Sequence, residues 1–98
     1  MVRKNYSKTG KVCRATFDLS SEVIADEISL CGEFNDWDPQ ENKMTKRKTG
    51  RWSTTISLMC GRKYRYKYLL DGKKWENDWD ADAYQKNEFG SEDSVVEV

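Results

Sequence analysis

From residue 11 to residue 19 the chain alternates, with Cys13, Ala15, Phe17 and Leu19 on one row and Val12, Arg14, Thr16 and Asp18 on the other. A period of two marks a strand with one face in a core and one in water. A polar connector from Ser20 to Asp26 leads to a second strand, in which Ile28, Leu30 and Gly32 alternate with Ser29, Cys31 and Glu33 and Phe34 closes the core row. Between Asn35 and Thr49 the alternation dissolves into Asn, Asp and Lys with the single proline, Pro39. That composition predicts a long loop carrying Trp37 away from the sheet.

Gly50 resets the pattern. Trp52, Thr54, Ile56 and Leu58 alternate with Ser53, Thr55 and Ser57, and a turn at Cys60-Gly61 leads into Arg62 to Leu70, where Tyr64, Tyr66, Tyr68 and Leu70 share one face and Lys63, Arg65, Lys67 and Leu69 the other. Asp71-Gly72 is a strong hairpin signal that returns the chain through Lys73 to Trp75. Glu76 to Glu88 is polar with no helical stripe, and Ser94 to Val98 reads as a last strand. With no period of 3.6 and no internal repeat, the predicted class is all-β: an antiparallel sandwich of about seven short strands. Residues 1–10 are expected to be a flexible N-terminus, and residues 11–98 a single domain.

Length sharpens this. A chain of 98 residues holds one core but not two lobes around a deep cleft, which disfavours catalysis in a buried pocket. The formal net charge of zero conceals a segregation: Lys43 to Lys74 holds eleven Lys or Arg against Asp71, and Glu76 to Glu97 holds eight acids against Lys86. Contact with a polyanion is one consequence of such patches. Neighbouring strands pairing opposite charges is the other, and the one preferred here. Cys13, Cys31 and Cys60 have no Cys-x-x-Cys spacing, and the first residues lack an apolar leader, so a reducing, cytoplasmic setting with a buried thiol at Cys13 is expected. No run approaches the ~20 apolar residues of a membrane span.

Much chemistry is excluded by composition. There is no histidine, which removes the commonest general base and metal ligand. Asp78, Asp80 and Asp82 alternate as in a calcium loop, but the sixth position is Ala83 and the twelfth Phe89, where glycine and glutamate are required. These acids are expected to form a solvated loop. They cannot flank a sugar from two sides as a glycosidase pair must. The glycines are scattered singly, so no phosphate cradle exists. Neither an enzymatic activity nor a metal or other cofactor is expected.

What remains is aromatic and basic. If the tyrosine row is buried, Lys67 stands on the outer face with Leu69 roughly 7 Å further along, and Trp75 returns across the hairpin toward it. A sugar ring offers an apolar C–H face to an indole and a rim of hydroxyls to Lys, Ser, Asn or Asp. Two separated tryptophans, Trp37 and Trp75, suit a chain of sugars, although each also reads as a cap on the core edge. Trp52, on an apolar row, and Trp79, among acids expected to cover its rim, read as structural. Covering on the order of 100 Å² per stack at ~25 cal/mol/Å² gives about 2.5 kcal/mol each. After the cost of association, binding in the range of roughly micromolar to millimolar follows.

Leu30-Cys31-Gly32-Glu33-Phe34-Asn35-Asp36-Trp37, Gly50-Arg51-Trp52, Tyr66-Lys67-Tyr68-Leu69-Leu70-Asp71-Gly72 with Trp75, and Asn87-Glu88-Phe89-Gly90 before Ser94-Val95-Val96 together resemble the family 48 carbohydrate-binding modules. That group includes the N-terminal domains of isoamylases and branching enzymes and the glycogen-binding domain of the AMP-activated kinase β subunit. The resemblance runs from about Lys11 to Val98. It implies an immunoglobulin-like sandwich that binds α-1,4-linked glucans such as glycogen, starch or maltooligosaccharides without catalysis of its own. By motif, Trp37 and Trp75 resemble the stacking pair and Lys67 the basic hydroxyl donor, while Phe89, Ser91 and Asp93 fall where the kinase module has a leucine, a threonine and an asparagine. Asp93 is a departure, because a carboxylate accepts hydrogen bonds and donates none. Glu88 and Trp79 also depart from positions where prolines are common.

Two functions of different class follow. One is non-catalytic α-glucan binding through Trp37, Lys67, Trp75, Phe89, Ser91 and Asp93. The other is a protein-interaction or regulatory module of the same fold that docks on an amylolytic enzyme or kinase, for instance through a sheet edge. Single-strand nucleic-acid binding along Lys63, Arg65 and Lys67 is disfavoured by the acids from Glu76 to Glu97. Oligomeric state is not indicated.

Overall fold

The computed structural model describes residues 2–98, and in it strand pairing begins at once. β1 (Val2–Tyr6) runs antiparallel to β2 (Val12–Leu19), with Val2 opposite Phe17 and Tyr6 opposite Cys13. Residues 2–6 thus form a strand that the sequence pattern did not show; Met1 lies outside the described residues. Val-Arg-Lys-Asn-Tyr contributes only Val2 to the core and so shows no alternation, yet its backbone completes a ladder and Lys4 Nζ reaches Asp82 Oδ2 at 2.7 Å.

Further along are β3 (Ile28–Gly32), a 3₁₀ turn (Glu33–Asn35), β4 (Thr45–Lys46), β5 (Trp52–Met59), β6 (Lys63–Leu70), β7 (Lys74–Glu76), β8 (Ala83–Lys86) and β9 (Glu92–Glu97). They form two antiparallel sheets, ordered β1-β2-β5-β4 and β3-β6-β9-β8, with β7 pairing to the end of β6. The all-β sandwich is thus as expected, with nine described strands where about seven were expected. β4 and β8 escape the sequence pattern because they are short and lie at sheet edges, where no row is buried. Among the described residues no helix is long and apolar enough to cross a membrane.

The rows read from the sequence face each other across the core. Cys13, Ala15, Phe17, Leu19, Trp52 and Leu58 come from one sheet, and Ile28, Leu30, Tyr66, Tyr68, Leu70 and Val96 from the other. Aromatic edges knit the layers: Phe17 meets Tyr66 at 5.0 Å between ring centroids, and Phe34 leans on Phe17 at 5.7 Å and Tyr64 at 6.0 Å. Burying each such side chain contributes on the order of 1.5–3 kcal/mol.

Two buried tyrosines also bury two hydroxyls, and these need acceptors. Asp78 supplies one oxygen to both: its Oδ2 accepts from Tyr66 Oη at 2.7 Å and from Tyr68 Oη at 3.3 Å. Asp78 is therefore 2% exposed and not part of a solvated acidic loop. Its backbone N–H donates to Ser94 Oγ at 2.9 Å and its carbonyl accepts from Tyr84 Oη at 2.6 Å, which ties the segment after β7 to β9 and β8. Outside the core, β6 lies beside β9, and the segregated charges meet there. Lys63 faces Glu97 at 3.5 Å, and Arg65 and Lys67 both face Asp93, at 3.8 and 3.7 Å.

Candidate functional site

Three segments converge on the outer face of the second sheet. The first is the turn after β3. Asn35 folds back on it: Oδ1 accepts from Gly32 N–H at 3.0 Å, and Nδ2 donates to Leu30 O at 2.9 Å and Asn42 Oδ1 at 2.8 Å. Trp37 N–H closes the turn on Gly32 O at 2.9 Å. Asp36 and Trp37 are left in the left-handed region, with φ of 55° and 59°. For a residue as bulky as tryptophan this is a strained backbone, at a cost of order 1–3 kcal/mol, and such strain concentrates at functional positions. Its effect is to hold the indole half-buried at the rim of the sheet.

The second segment is the β6–β7 hairpin. Asp71 and Gly72, at φ of 53° and 68°, form a tight turn of the kind that matches strand twist. The register then sets Trp75 opposite Leu69, which places both on the face that carries Lys67. Trp75 is 48% exposed, and its ring meets that of Trp37 edge to face, 6.5 Å between centroids and 76° between planes. The pair forms an angled corner and not a single flat plane.

The third segment is the β8–β9 loop, organised by Asn87. Its Oδ1 accepts from Phe89 N–H at 3.0 Å and Ser91 N–H at 3.2 Å, and its Nδ2 donates to Ser91 Oγ at 2.9 Å and Asp93 Oδ1 at 3.0 Å. Phe89 is thereby presented 85% exposed at the loop tip. Lys67 Nζ lies 3.4 Å from Ser91 Oγ, which joins this loop to β6.

Together the segments enclose an open groove of about 910 Å³, lined by all six residues expected from the sequence: Trp37, Lys67, Trp75, Phe89, Ser91 and Asp93. Glu33, Arg65, Lys86, Asn87 and Glu88 line it as well and were not expected. Arg65 was legible, since it precedes Lys67 by two on a strand. Glu33 was not, because the 3₁₀ turn aims it back at Arg65, whose backbone N–H donates to its Oε1 at 2.7 Å. The charges in the groove balance, with Arg65, Lys67 and Lys86 against Glu33, Glu88 and Asp93. With its charges balanced, the groove offers a polyanion no net attraction.

Trp52 is buried as expected, with Lys46 Nζ 5.9 Å from its ring centre. Trp79 is not. The acids beside it do not cover it, and it is 55% exposed.

Residues 14–85 match the model of carbohydrate-binding module 48, the isoamylase N-terminal domain. The chain belongs to this family. The matched span of this module-48 domain contains Trp37, Lys67 and Trp75 and ends before the loop that carries Phe89. The domain is also similar to the 1,4-alpha-glucan-branching enzyme, chloroplastic/amyloplastic, of Oryza sativa subsp. japonica, with 35% identity over 81 residues, covering 74% of this chain and 10% of the rice protein. It is similar to an amylopullulanase of Thermoanaerobacter thermohydrosulfuricus, with 33% identity over 69 residues, covering 68% of this chain and 4% of that enzyme. The domain thus spans a small part of the length of either relative.

Proposed function

We propose that this module-48 domain binds α-1,4-linked glucan chains, of the glycogen, starch or maltooligosaccharide type, without catalysing a reaction on them. The observation that carries the proposal is the convergence of Trp37, Trp75 and Phe89 with Lys67, Ser91 and Asp93 on one groove, although they come from three separate segments. Trp37 and Trp75 supply stacking faces set at an angle. A curved chain of sugars, whose successive rings turn relative to one another, suits such a corner better than a flat platform would. Lys67 donates to ring hydroxyls, Ser91 both donates and accepts, and Asp93 accepts. Phe89, on a loop braced by Asn87, presses on the chain from the far side of the groove.

Membership of a carbohydrate-binding family supports the ligand class, and the words branching enzyme and amylopullulanase in the relatives' names support an α-glucan. The unpaired state of Cys13, Cys31 and Cys60 is in keeping with a reducing, cytoplasmic compartment.

Affinity electrophoresis in native gels with and without glycogen tests the reading. Retardation of the parent by glycogen, reduced in Trp37→Ala and in Trp75→Ala, is the expected result. Equal mobility of the folded parent in both gels would discard glucan binding and direct attention to protein partners.

A further inference from the structure

A second groove shares no lining residue with the first. It measures about 420 Å³ and lies between Arg3 of β1, Asp18 and Leu19 at the end of β2, Arg51 just before β5, and Trp79 and Asp80 of the segment between β7 and β8. Scattered exposed hydrophobic residues are ordinary on a protein surface. Trp79 differs in being both open and fixed. It is more exposed than Trp75, 55% against 48%, and it joins none of the aromatic pairs among the described residues. Yet the backbone on either side of it is pinned: Asp78 N–H donates to the buried Ser94 Oγ at 2.9 Å, and Asp80 N–H donates to Asp78 Oδ1 at 3.2 Å. An exposed aromatic on an ordered backbone loses little freedom on binding.

The polar rim identifies the ligand chemistry. Arg51 Nε is paired with Asp18 Oδ1 at 3.0 Å, and the Asp78 carboxylate is turned to the hydroxyls of Tyr66 and Tyr68. Counted over the whole lining, Arg3 and Arg51 stand against Asp18, Asp78 and Asp80, so the groove has no surplus of positive charge. An anion gains no net attraction there, and the two guanidinium groups, one of them paired with Asp18, make it a poor cation site. A neutral polyhydroxyl ring can use the guanidinium N–H groups as donors, the carboxylates as acceptors and the open indole as a stacking face. We propose that this groove is a second glucan subsite, so that one domain grips the polymer at two separated places. The choice of glucan over other neutral sugars rests on the reading of the first groove. With less than half its volume, the second site takes a shorter stretch of chain and acts mainly by making attachment to a polymer bivalent.

Nuclear magnetic resonance of the ¹⁵N-labelled full chain, titrated with maltoheptaose, tests this directly through the indole N–H signals of its four tryptophans. Trp79→Phe assigns the Trp79 signal without emptying the site of its ring. The Trp79 signal is expected to shift with an affinity about tenfold weaker than that reported by Trp37 and Trp75. Trp79→Ala is expected to reduce retardation by glycogen about tenfold while leaving the maltoheptaose shifts of Trp37 and Trp75 unchanged. A Trp79 signal that stays fixed while those of Trp37 and Trp75 saturate, with Trp79→Ala retarded like the parent, would overturn the second site and leave the first intact. A moving Trp79 with fixed Trp37 and Trp75 would instead uphold the second site and overturn the first.

Discussion

Lys67 Nζ stands 3.7 Å from Asp93 Oδ1, and the two side chains, 15% and 10% exposed, are drawn against the floor of the groove. The pairing engages the ammonium group that a glucan hydroxyl needs, and Arg65 is drawn to the same carboxylate at 3.8 Å. Asp93→Asn keeps an acceptor for Asn87 Nδ2, releases Lys67 and adds an amide donor. Affinity for maltoheptaose is expected to rise about tenfold, the equivalent of about 1.4 kcal/mol. Loss of the ion pairs is expected to lower stability by about 1 kcal/mol. Titration calorimetry together with urea unfolding measures both, and an affinity that is unchanged or weaker would show that the carboxylate is no handicap.

Trp37 and Trp75 support each other as well as any ligand. Removing one stacking face of on the order of 100 Å² is expected to weaken maltoheptaose binding by about 2.5 kcal/mol, a little under a hundredfold. Because the rings touch edge to face, the double variant Trp37→Ala/Trp75→Ala is expected to lose less than the sum of the singles, with a coupling of about 0.5–1.5 kcal/mol. Strict additivity in a calorimetric double-mutant cycle would mean that the two rings act as independent platforms.

Most of the sandwich is written in period-two rows. β2, β5 and β6 were legible because each has one face against the core and one in solvent, and Trp75 followed from the hairpin after Leu70. β1, β4 and β8 were not, because an edge strand is held by backbone pairing and needs few buried side chains. The groove was legible where its residues lie on strands or carry a distinctive aromatic, and not where loop hydrogen bonding decides, as with Asn87 and Glu33. Trp79 was misread for a physical reason: two of the three acids around it are occupied elsewhere. Asp78 turns inward to the tyrosines, and Asp82 accepts from Lys4 Nζ and from the backbone N–H of Glu97.

Gly32 is needed for space, not for backbone freedom, since its φ of −170° is ordinary extended geometry. A Cβ there would sit 2.6 Å from Arg65 O and 2.8 Å from the Phe34 ring. Backbone cannot yield as a side-chain tip can, so Gly32→Ala is expected to cost about 1–3 kcal/mol and to displace the turn that positions Trp37. Denaturant unfolding and glucan affinity are both expected to fall. Wild-type values of both would mean that the strand and the Phe34 ring separate freely.

Tyr66, Tyr68 and Cys31 make the domain sensitive to alkali. Burial, reinforced for Tyr66 by the neighbouring Tyr68 and for both tyrosines by the charge of Asp78 and its hydrogen bond, raises both phenols well above their ordinary range, and burial with the charge of Asp38 raises the Cys31 thiol to about 11. In each case the folded state holds its proton at a pH where the unfolded chain releases it. The contribution to stability is therefore complete below the unfolded pKa and is lost as pH rises above it. The decline is expected to begin near the free-thiol value of 9.0 for Cys31 and to steepen above about 10, where each tyrosine adds about 1.4 kcal/mol per pH unit. Tyr66→Phe removes one such contribution while leaving Asp78 Oδ2 the hydroxyl of Tyr68, so it should lower stability by about 1 kcal/mol at neutral pH and make the alkaline decline shallower. Urea unfolding at several pH values from neutral to strongly alkaline measures both effects, and identical slopes for parent and variant would show that Tyr66 is not among the groups that titrate on unfolding.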